Sequence, residues 1–378
     1  MHLKFVNYKI PVSSPMIGDD DKKVVIECLE SNWISGVGEF VERFENAFAK
    51  YVDCKYGVAT NSGTTSLHLA LASLGLKRGD EIIMPTFTMI ASINAAEYLG
   101  LNSVLVDADP KLWTMEIDMI KPRITDKTKA IMPVHIYGHP ENMKIINELA
   151  SEFGLYVIED AAEAHGAEVE GRKVGSLSNV GSFSFYANKI ITTGEGGMCV
   201  TNDSELSERM AWLRAHAFGK SGKHFWHEEL GFGYRMSALL ASLGYSQTNK
   251  IELMVEKRRR NAKIYNELLS ELAEAGKITL PPEEKWAKNV YWMYSILVDR
   301  KDRDALMKFL ESRSIESRTF FYPVHRQPYY RQRYEGQMFP NADQISSEGI
   351  NLPSGNMLSE EDVNVVAEEI MNYYELNR

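Results

Sequence analysis

The chain has 378 residues, 44% of them hydrophobic and 25% charged, an ordinary globular composition long enough for two domains, which excludes a disordered or fibrous protein. Its net charge of −10, with both signs scattered, speaks against nucleic acid or an anionic membrane as the main partner. No apolar run approaches the roughly 18 residues that cross a bilayer. Cys28, Cys54 and Cys199 lie far apart with no CxxC spacing, so they read as reduced, buried small hydrophobes rather than a disulfide framework or a zinc site.

The opening segment, MHLKFVNYKIPVSSPMIG, lacks the charged, apolar and small-residue regions of a secretion signal, and the expectation is a cytoplasmic protein. A first helix is expected at DDDKKVVIECLESN, where the acidic first turn suits the helix dipole. From Tyr56 to Asn202 short β-rich runs alternate with helical segments. The strand candidates are YGVAT, DEIIMPT, SVLVD, KAIMPVHIYG, LYVIED, GSFSF and GMCVTN. That rhythm predicts an α/β fold with a mostly parallel sheet, and continuous apolar runs predict helices on both faces. In such sheets ligands sit beyond the carboxyl ends of the strands.

A long helical stretch from about Ser237 to Leu272 follows GFGYRM, and its basic cluster EKRRRNAK (256–263) reads as a solvated face. It bridges to a second unit with a strand at VYWMYSILV, a helix at RDALMKFLESR, an extended run at ESRTFFYP and a closing helix from about Ser359. The expected division is a large cofactor-binding domain over 1–250, with the N-terminal helix, and a smaller α/β domain over 251–378.

Three segments carry chemistry. TNSGTTSLHLALASLG follows a strand and opens a helix, so Gly63, Thr64 and Thr65 present N–H groups and hydroxyls suited to a phosphate, or else form a plain capped helix start. VIEDAAEAHGA ends a strand at Glu159 and Asp160, placing an acid at the crevice or at a helix cap. SFSFYANKIITTGEGG sets Lys189 a few residues past a strand, with Ser184 five before it. A phosphate cradle, a carboxylate able to hold a proton on a ring nitrogen, and a nucleophilic lysine are together what pyridoxal 5'-phosphate requires.

The order SGTTSLHLAL, VIEDAAEAHGA, SFSFYANKIITTGEGGM, GFGYRM resembles the DegT/DnrJ/EryC1/StrS family of sugar aminotransferases, from WISGVGEFVERFE near the start to INLPSGNMLSEEDV near the end. The resemblance implies the aspartate-aminotransferase (fold type I) architecture, a homodimer with active sites between subunits, and a nucleotide-linked 4-keto-6-deoxy sugar with L-glutamate as substrates. It makes Lys189 the lysine that bonds the cofactor and Asp160 the partner of the ring nitrogen. Gly63, Thr64 and Ser184 fall where the phosphate is held, and Glu163 near the phenolic oxygen. Met89 stands where the family usually has an aromatic to stack on the ring, so either its sulfur packs there or Phe87 compensates. Gly233 replaces an Asn that reaches the neighbouring subunit's phosphate. Weaker substrate candidates are His325, Lys220, Lys223 and His224, while Trp33 lines the entrance or, as favoured, belongs to the core. Lys189 argues against a related branch in which histidine replaces it and the enzyme eliminates a hydroxyl. A catalytically idle binding protein and a dTDP- or UDP-linked substrate stay open, and no metal site is expected.

Overall fold

In the computed structural model, which describes residues 8–219, 223 and 225–376, the strands run in chain order as β1 (Tyr56–Thr60), β2 (Glu81–Pro85), β3 (Asn102–Val106), β4 (Thr128–Ile131) and β5 (Tyr156–Asp160). A short ribbon of β6 (Glu168–Val169) and β7 (Arg172–Lys173) precedes β8 (Val180–Ser184) and β9 (Gly197–Thr201). The C-terminal region adds β10 (Ile278–Thr279), β11 (Ala287–Lys288), β12 (Tyr294–Val298), β13 (Arg318–Thr319) and β14 (Gly349–Leu352). The main sheet has the order β1-β9-β8-β5-β4-β2-β3. Only β9 runs against its neighbours, so the sheet is mostly parallel, as expected. All five residues of β8 and of β9 are buried, as expected of strands covered on both faces.

Because the parallel strands end together, Thr60, Pro85, Asp160 and Ser184 bring their following residues to one edge. Helices α1 (Asp19–Glu30), α2 (Glu39–Tyr51) and α3 (Gly63–Ser73) open the chain. Helix α2 turns Phe40, Val41, Phe44 and Phe48 inward at helical spacing, and its aromatic rings meet Phe183 and Phe185 of the β8 region edge-on.

Two expectations change. The long helical stretch is three helices, Ala238–Thr248, Ile251–Leu268 and Ser270–Glu274. The first break falls at Asn249–Lys250, where Lys250 is held by an ion pair to the buried Asp21 at 3.0 Å, and the helix that follows packs Ile251, Met254 and Val255 on the main core before Ala262 and Tyr265 join the C-terminal cluster. The run VYWMYSILV is a strand only from Tyr294. Tyr291 takes φ +47°, and the segment before the strand crosses to Tyr137 and Gly138, where Val290 N–H meets the Gly138 carbonyl at 3.1 Å.

A four-stranded antiparallel sheet, β10-β12-β14-β13, lies in the C-terminal region. Its apolar cluster includes Tyr265, Tyr294, Ile296, Ile350 and Ile370, together with Ile10 from the other end of the chain. Phe320, Val324, Tyr330 and Phe339, though C-terminal, pack instead with the main core. No helix among the described residues is long and apolar enough to cross a membrane.

Candidate active site

At the carboxyl edge of the main sheet a cavity of about 300 Å³ is lined by Gly63, Thr64, Met89, Asp160, Glu163, Ser184 and Lys189. Seven residues separated by as many as 126 positions thus meet in one place because the parallel strands end there.

One end of the cavity is the start of α3. Ser62 caps it, its hydroxyl accepting from Thr65 N–H at 3.2 Å, while the geometry of a first turn leaves the N–H groups of Gly63 and Thr64 without intrahelical partners. Glycine is required at 63 by close approach: a Cβ there would stand 2.7 Å from the Ser184 Cβ. The backbone and the Ser184 hydroxyl therefore form a compact, uncharged cradle with donors directed at an anion.

The floor is Asp160, the last residue of β5 and 5% exposed. Its Oδ2 accepts from Ser92 Oγ at 2.7 Å, and its Oδ1 from Ala162 N–H at 3.2 Å. Ser92 is fixed in turn by Thr88 at 2.8 Å. Burial raises the Asp160 pKa, and the Ser92 and Ala162 donors and the nearby Lys189 oppose that rise.

Lys189 follows β8 in a tight turn. Thr193 N–H and Thr192 Oγ1 both bond the Phe185 carbonyl, at 3.0 and 2.9 Å. Gly194 takes φ +82°, a conformation glycine adopts without strain. The glycines then return the chain to β9, as the sequence suggests, and a Cβ on Gly197 would strike the Ser62 carbonyl at 2.2 Å. The Lys189 Nζ lies 3.9 Å from Glu163 Oε1 and 3.8 Å from the centroid of the Trp292 ring. Burial lowers its pKa and the carboxylates of Glu163 and Asp160 partly restore it. Glu163, whose Oε2 accepts from Tyr137 N–H at 2.8 Å, is raised by burial and held back by Lys189. Together they leave a lysine readier to be neutral than one in water.

The other sequence candidates separate. Met89 lines the cavity, whereas Phe87 is buried against Tyr137 and Phe320, so of the two it is Met89 that is placed to meet a ring. His325 is away from the cavity, its Nδ1 at 2.8 Å from Thr86 Oγ1 and its Nε2 at 3.1 Å from Asp343. Trp33 is 56% exposed, which overturns the core reading, and its indole N–H bonds the Val37 carbonyl. Lys223 is exposed, its Nζ 4.9 Å from the Trp226 ring and outside the cavity lining. Lys220 and His224 lie outside the described residues.

Trp292, Asn188, Phe321, Thr88 and Tyr186, two residues past Ser184, also line the cavity. None of the five is singled out by the sequence. Trp292 falls in the run VYWMYSILV, expected as a strand, and carries no motif. Ser92, the support of Asp160, stands one helical turn after Thr88, and that spacing alone could have pointed to it.

The cavity fits pyridoxal 5'-phosphate: an uncharged donor cradle that a single methyl would fill, a buried acid across from it, and a lysine with depressed pKa between them. Comparisons with known proteins agree. Residues 15–371 match the DegT/DnrJ/EryC1/StrS aminotransferase family. A GDP-perosamine synthase from Escherichia coli O157:H7 is 42% identical over 97% of this chain and 98% of its own length. The solved structure of DesV from S. venezuelae superposes with a TM-score of 0.88 at 33% identity, covering 94% of both chains. That of ntda from Bacillus subtilis, with its bound cofactor PMP, gives 0.86 at 27% identity over 94% of this chain and 82% of that one.

Proposed function

The chain belongs to the DegT/DnrJ/EryC1/StrS aminotransferase family, whose members are pyridoxal-phosphate-dependent sugar aminotransferases, and from that premise we propose that it moves an amino group from L-glutamate to the C4 keto group of GDP-4-keto-6-deoxymannose, giving GDP-perosamine. The name of the E. coli relative supports this acceptor, since identity of 42% extends over nearly the whole chain. The observation that carries the chemistry is the single cavity in which Lys189, Asp160 and the Gly63–Ser184 cradle stand at separate points of the wall.

When bound, pyridoxal phosphate supplies an electrophilic carbon that bonds the substrate's nitrogen and a ring that takes up the electrons released with the α-proton. Gly63, Thr64 and Ser184 hold its phosphate. Asp160 keeps the proton on the ring nitrogen, and a cation opposite it offsets the burial that otherwise favours its neutral form. Lys189 takes the α-proton from glutamate and returns one to the sugar carbon, a task served by its depressed pKa. Glu163 would stand near the phenolic oxygen, and Met89 would offer a face of the ring its polarizable sulfur.

The chain works as a homodimer in this reading, with residues of one subunit completing the site of the other. Leu230 is 82% exposed and Trp226 54%, beside a groove of about 830 Å³ lined by Val37, His216, Phe218, Leu230 and Arg235. The same segment passes next to the cradle, where Asn61 N–H donates to the Tyr234 carbonyl at 3.0 Å. Gly233 offers no side chain toward a partner's phosphate, so that contact falls to another group. We assign 1–250 to the cofactor domain and 251–378 to the smaller one, and place the enzyme in the cytoplasm, serving O-antigen assembly.

The test is the visible spectrum of the protein with pyridoxal phosphate, followed by L-glutamate and then GDP-4-keto-6-deoxymannose. The cofactor band should bleach with glutamate, return with the sugar, and be missing in Lys189→Ala. A band that bleaches but returns only with a dTDP- or UDP-linked ketosugar moves the acceptor. A band indifferent to every donor overturns the transfer and leaves a binding protein.

A further inference from the structure

The basic cluster read as a solvated helix face contains one basic residue that is nothing of the kind. Arg258, on the helix Ile251–Leu268, is 2% exposed. Its neighbours in the cluster behave as expected: Arg259 and Arg260 pair with Glu283 and Glu360. Arg258 forms no ion pair among the described residues, and its Nη2 is buried with no hydrogen-bond partner. An unpaired buried guanidinium is costly to fold around, and burial pushes its pKa down to about 9. Stability alone gives no reason to keep it.

What Arg258 does touch leads to Lys189. Its Nη1 donates to the Trp292 carbonyl at 2.6 Å, and its Nε to Asn356 Oδ1 at 2.7 Å. Each of those residues grips the lysine's turn. The Trp292 indole N–H donates to the carbonyl of Asn188 at 2.9 Å, and Asn356 Nδ2 to the carbonyl of Ile190 at 2.7 Å. The backbone on either side of Lys189 is thus held by two side chains that one guanidinium aligns. Trp292 is further constrained from behind, where a Cβ on Gly138 would meet its backbone nitrogen at 2.8 Å, and its ring is the surface against which the Lys189 Nζ rests.

We propose that Arg258 is a positioning residue for the transamination, acting through Trp292 and Asn356 to fix the Asn188–Lys189–Ile190 backbone and so the reach of the lysine amine into the cavity. The guanidinium suits this task because its planar fork holds two acceptors at a set angle, which an ammonium does not. Groups facing the amine are Glu163, Asp160 and the Trp292 ring, with the neutral His165 behind. Loosening the clamp lets the amine leave them for water. Burial is the dominant influence on Lys189, so its titration midpoint then rises toward the ordinary lysine value.

The inference rests on the aminotransferase reading, and the experiment separates the two. Lys189 is titrated by NMR after reductive ¹³C-methylation of the cofactor-free protein, in wild type, Arg258→Lys, Arg258→Met, Trp292→Phe and Asn356→Ala, and holoenzyme kcat, KM for glutamate and melting are measured alongside. Trp292→Phe keeps a ring over the amine while removing the indole donor, and it serves with Asn356→Ala should the Arg258 variants fail to fold. The expected result is a midpoint higher by on the order of one pH unit, with kcat lower by about 10-fold to 100-fold and KM within about threefold. Arg258→Lys, which keeps the charge and loses the fork, should fall between wild type and Arg258→Met. Lower melting with an unchanged midpoint and kcat overturns the proposal and leaves Arg258 a packing residue. A wild type without a cofactor band instead removes the functional reading beneath it.

Discussion

The cavity wall and the segment from Ala215 to Arg235 are handled by the chain in opposite ways. At the wall, Asp160 and Glu163 are about 5% exposed, and their carboxylates accept hydrogen bonds from Ser92, Ala162 and Tyr137 of the same subunit. Along the segment, Phe225 is 77% exposed and Leu230 82%, and the apolar groove they flank is far larger than the cavity. In our reading one subunit supplies the partner of the cofactor's ring nitrogen and its own share of the phosphate contacts, and it leaves exposed an apolar surface of the kind that interfaces cover. The first region sets what reaction occurs; the second, in our reading, sets whether the substrate-binding half of the site exists at all.

The largest expected effect breaks the first region directly. Lys189→Ala should lower turnover by about 10⁴-fold, the upper range for a positioned acid–base group, and abolish the cofactor's lysine-bonded absorption without lowering the melting temperature. Asp160→Asn comes next. It preserves the Ser92 hydrogen bond in shape but not the negative charge opposite the ring nitrogen, and kcat should fall on the order of 10³-fold. Retention of more than a tenth of the activity would show that the ring nitrogen needs no anion here.

The second region should respond through assembly instead. Leu230→Asp places a charge where apolar surface waits for a partner, and being exposed it should leave the subunit fold untouched. Sedimentation should show a dimer turning to monomer at micromolar concentration, with specific activity down about tenfold and restored by raising protein concentration. A dimer that persists with full activity would mean the groove is covered by something else.

The two regions were also unequally legible. Lys189, Asp160, Ser184 and Gly63 stand in short segments where strand end, turn glycine and reactive group are adjacent in sequence, so local pattern was enough. Met89 and Gly233 were visible as departures from the same pattern. Trp292, Ser92 and Arg258 were not, because their roles arise from contacts across the fold: Ser92 is 68 residues from Asp160, and Arg258 reaches Lys189 through two intermediaries. Helical spacing mistook Arg258 for surface because a basic cluster normally is solvated. Trp33 erred the other way, since an indole favours burial and only the fold shows it standing out.

Acid should sharpen the contrast further. His165, enclosed by Phe48, Phe183 and Phe185 near the cavity, is pushed down to about 3, and His68 and His139 to about 4. Each is neutral in the fold and binds a proton more readily when unfolded, near 6.5. Their stabilising effect is therefore complete above about pH 6.5 and lost progressively as pH falls toward 4 and 3. His165→Phe removes one such group from an aromatic nest and should move acid unfolding to lower pH by about half a unit, followed by circular dichroism.

The smallest effect is expected at Met89, and it asks how much of the cavity wall is truly finished. Met89 is 45% exposed, though its Sδ accepts from Ala91 N–H at 3.0 Å, so it is the least confined residue of the cofactor set. A flexible thioether adapts to a ring at little cost, whereas an aromatic stacks better but must be held. Met89→Tyr should tighten pyridoxal phosphate by no more than about threefold, measured by equilibrium dialysis, and leave kcat within a factor of about two. A gain of tenfold or more would indicate that the methionine leaves one face of the ring uncovered, and that the partner subunit, rather than this wall, supplies the missing contact.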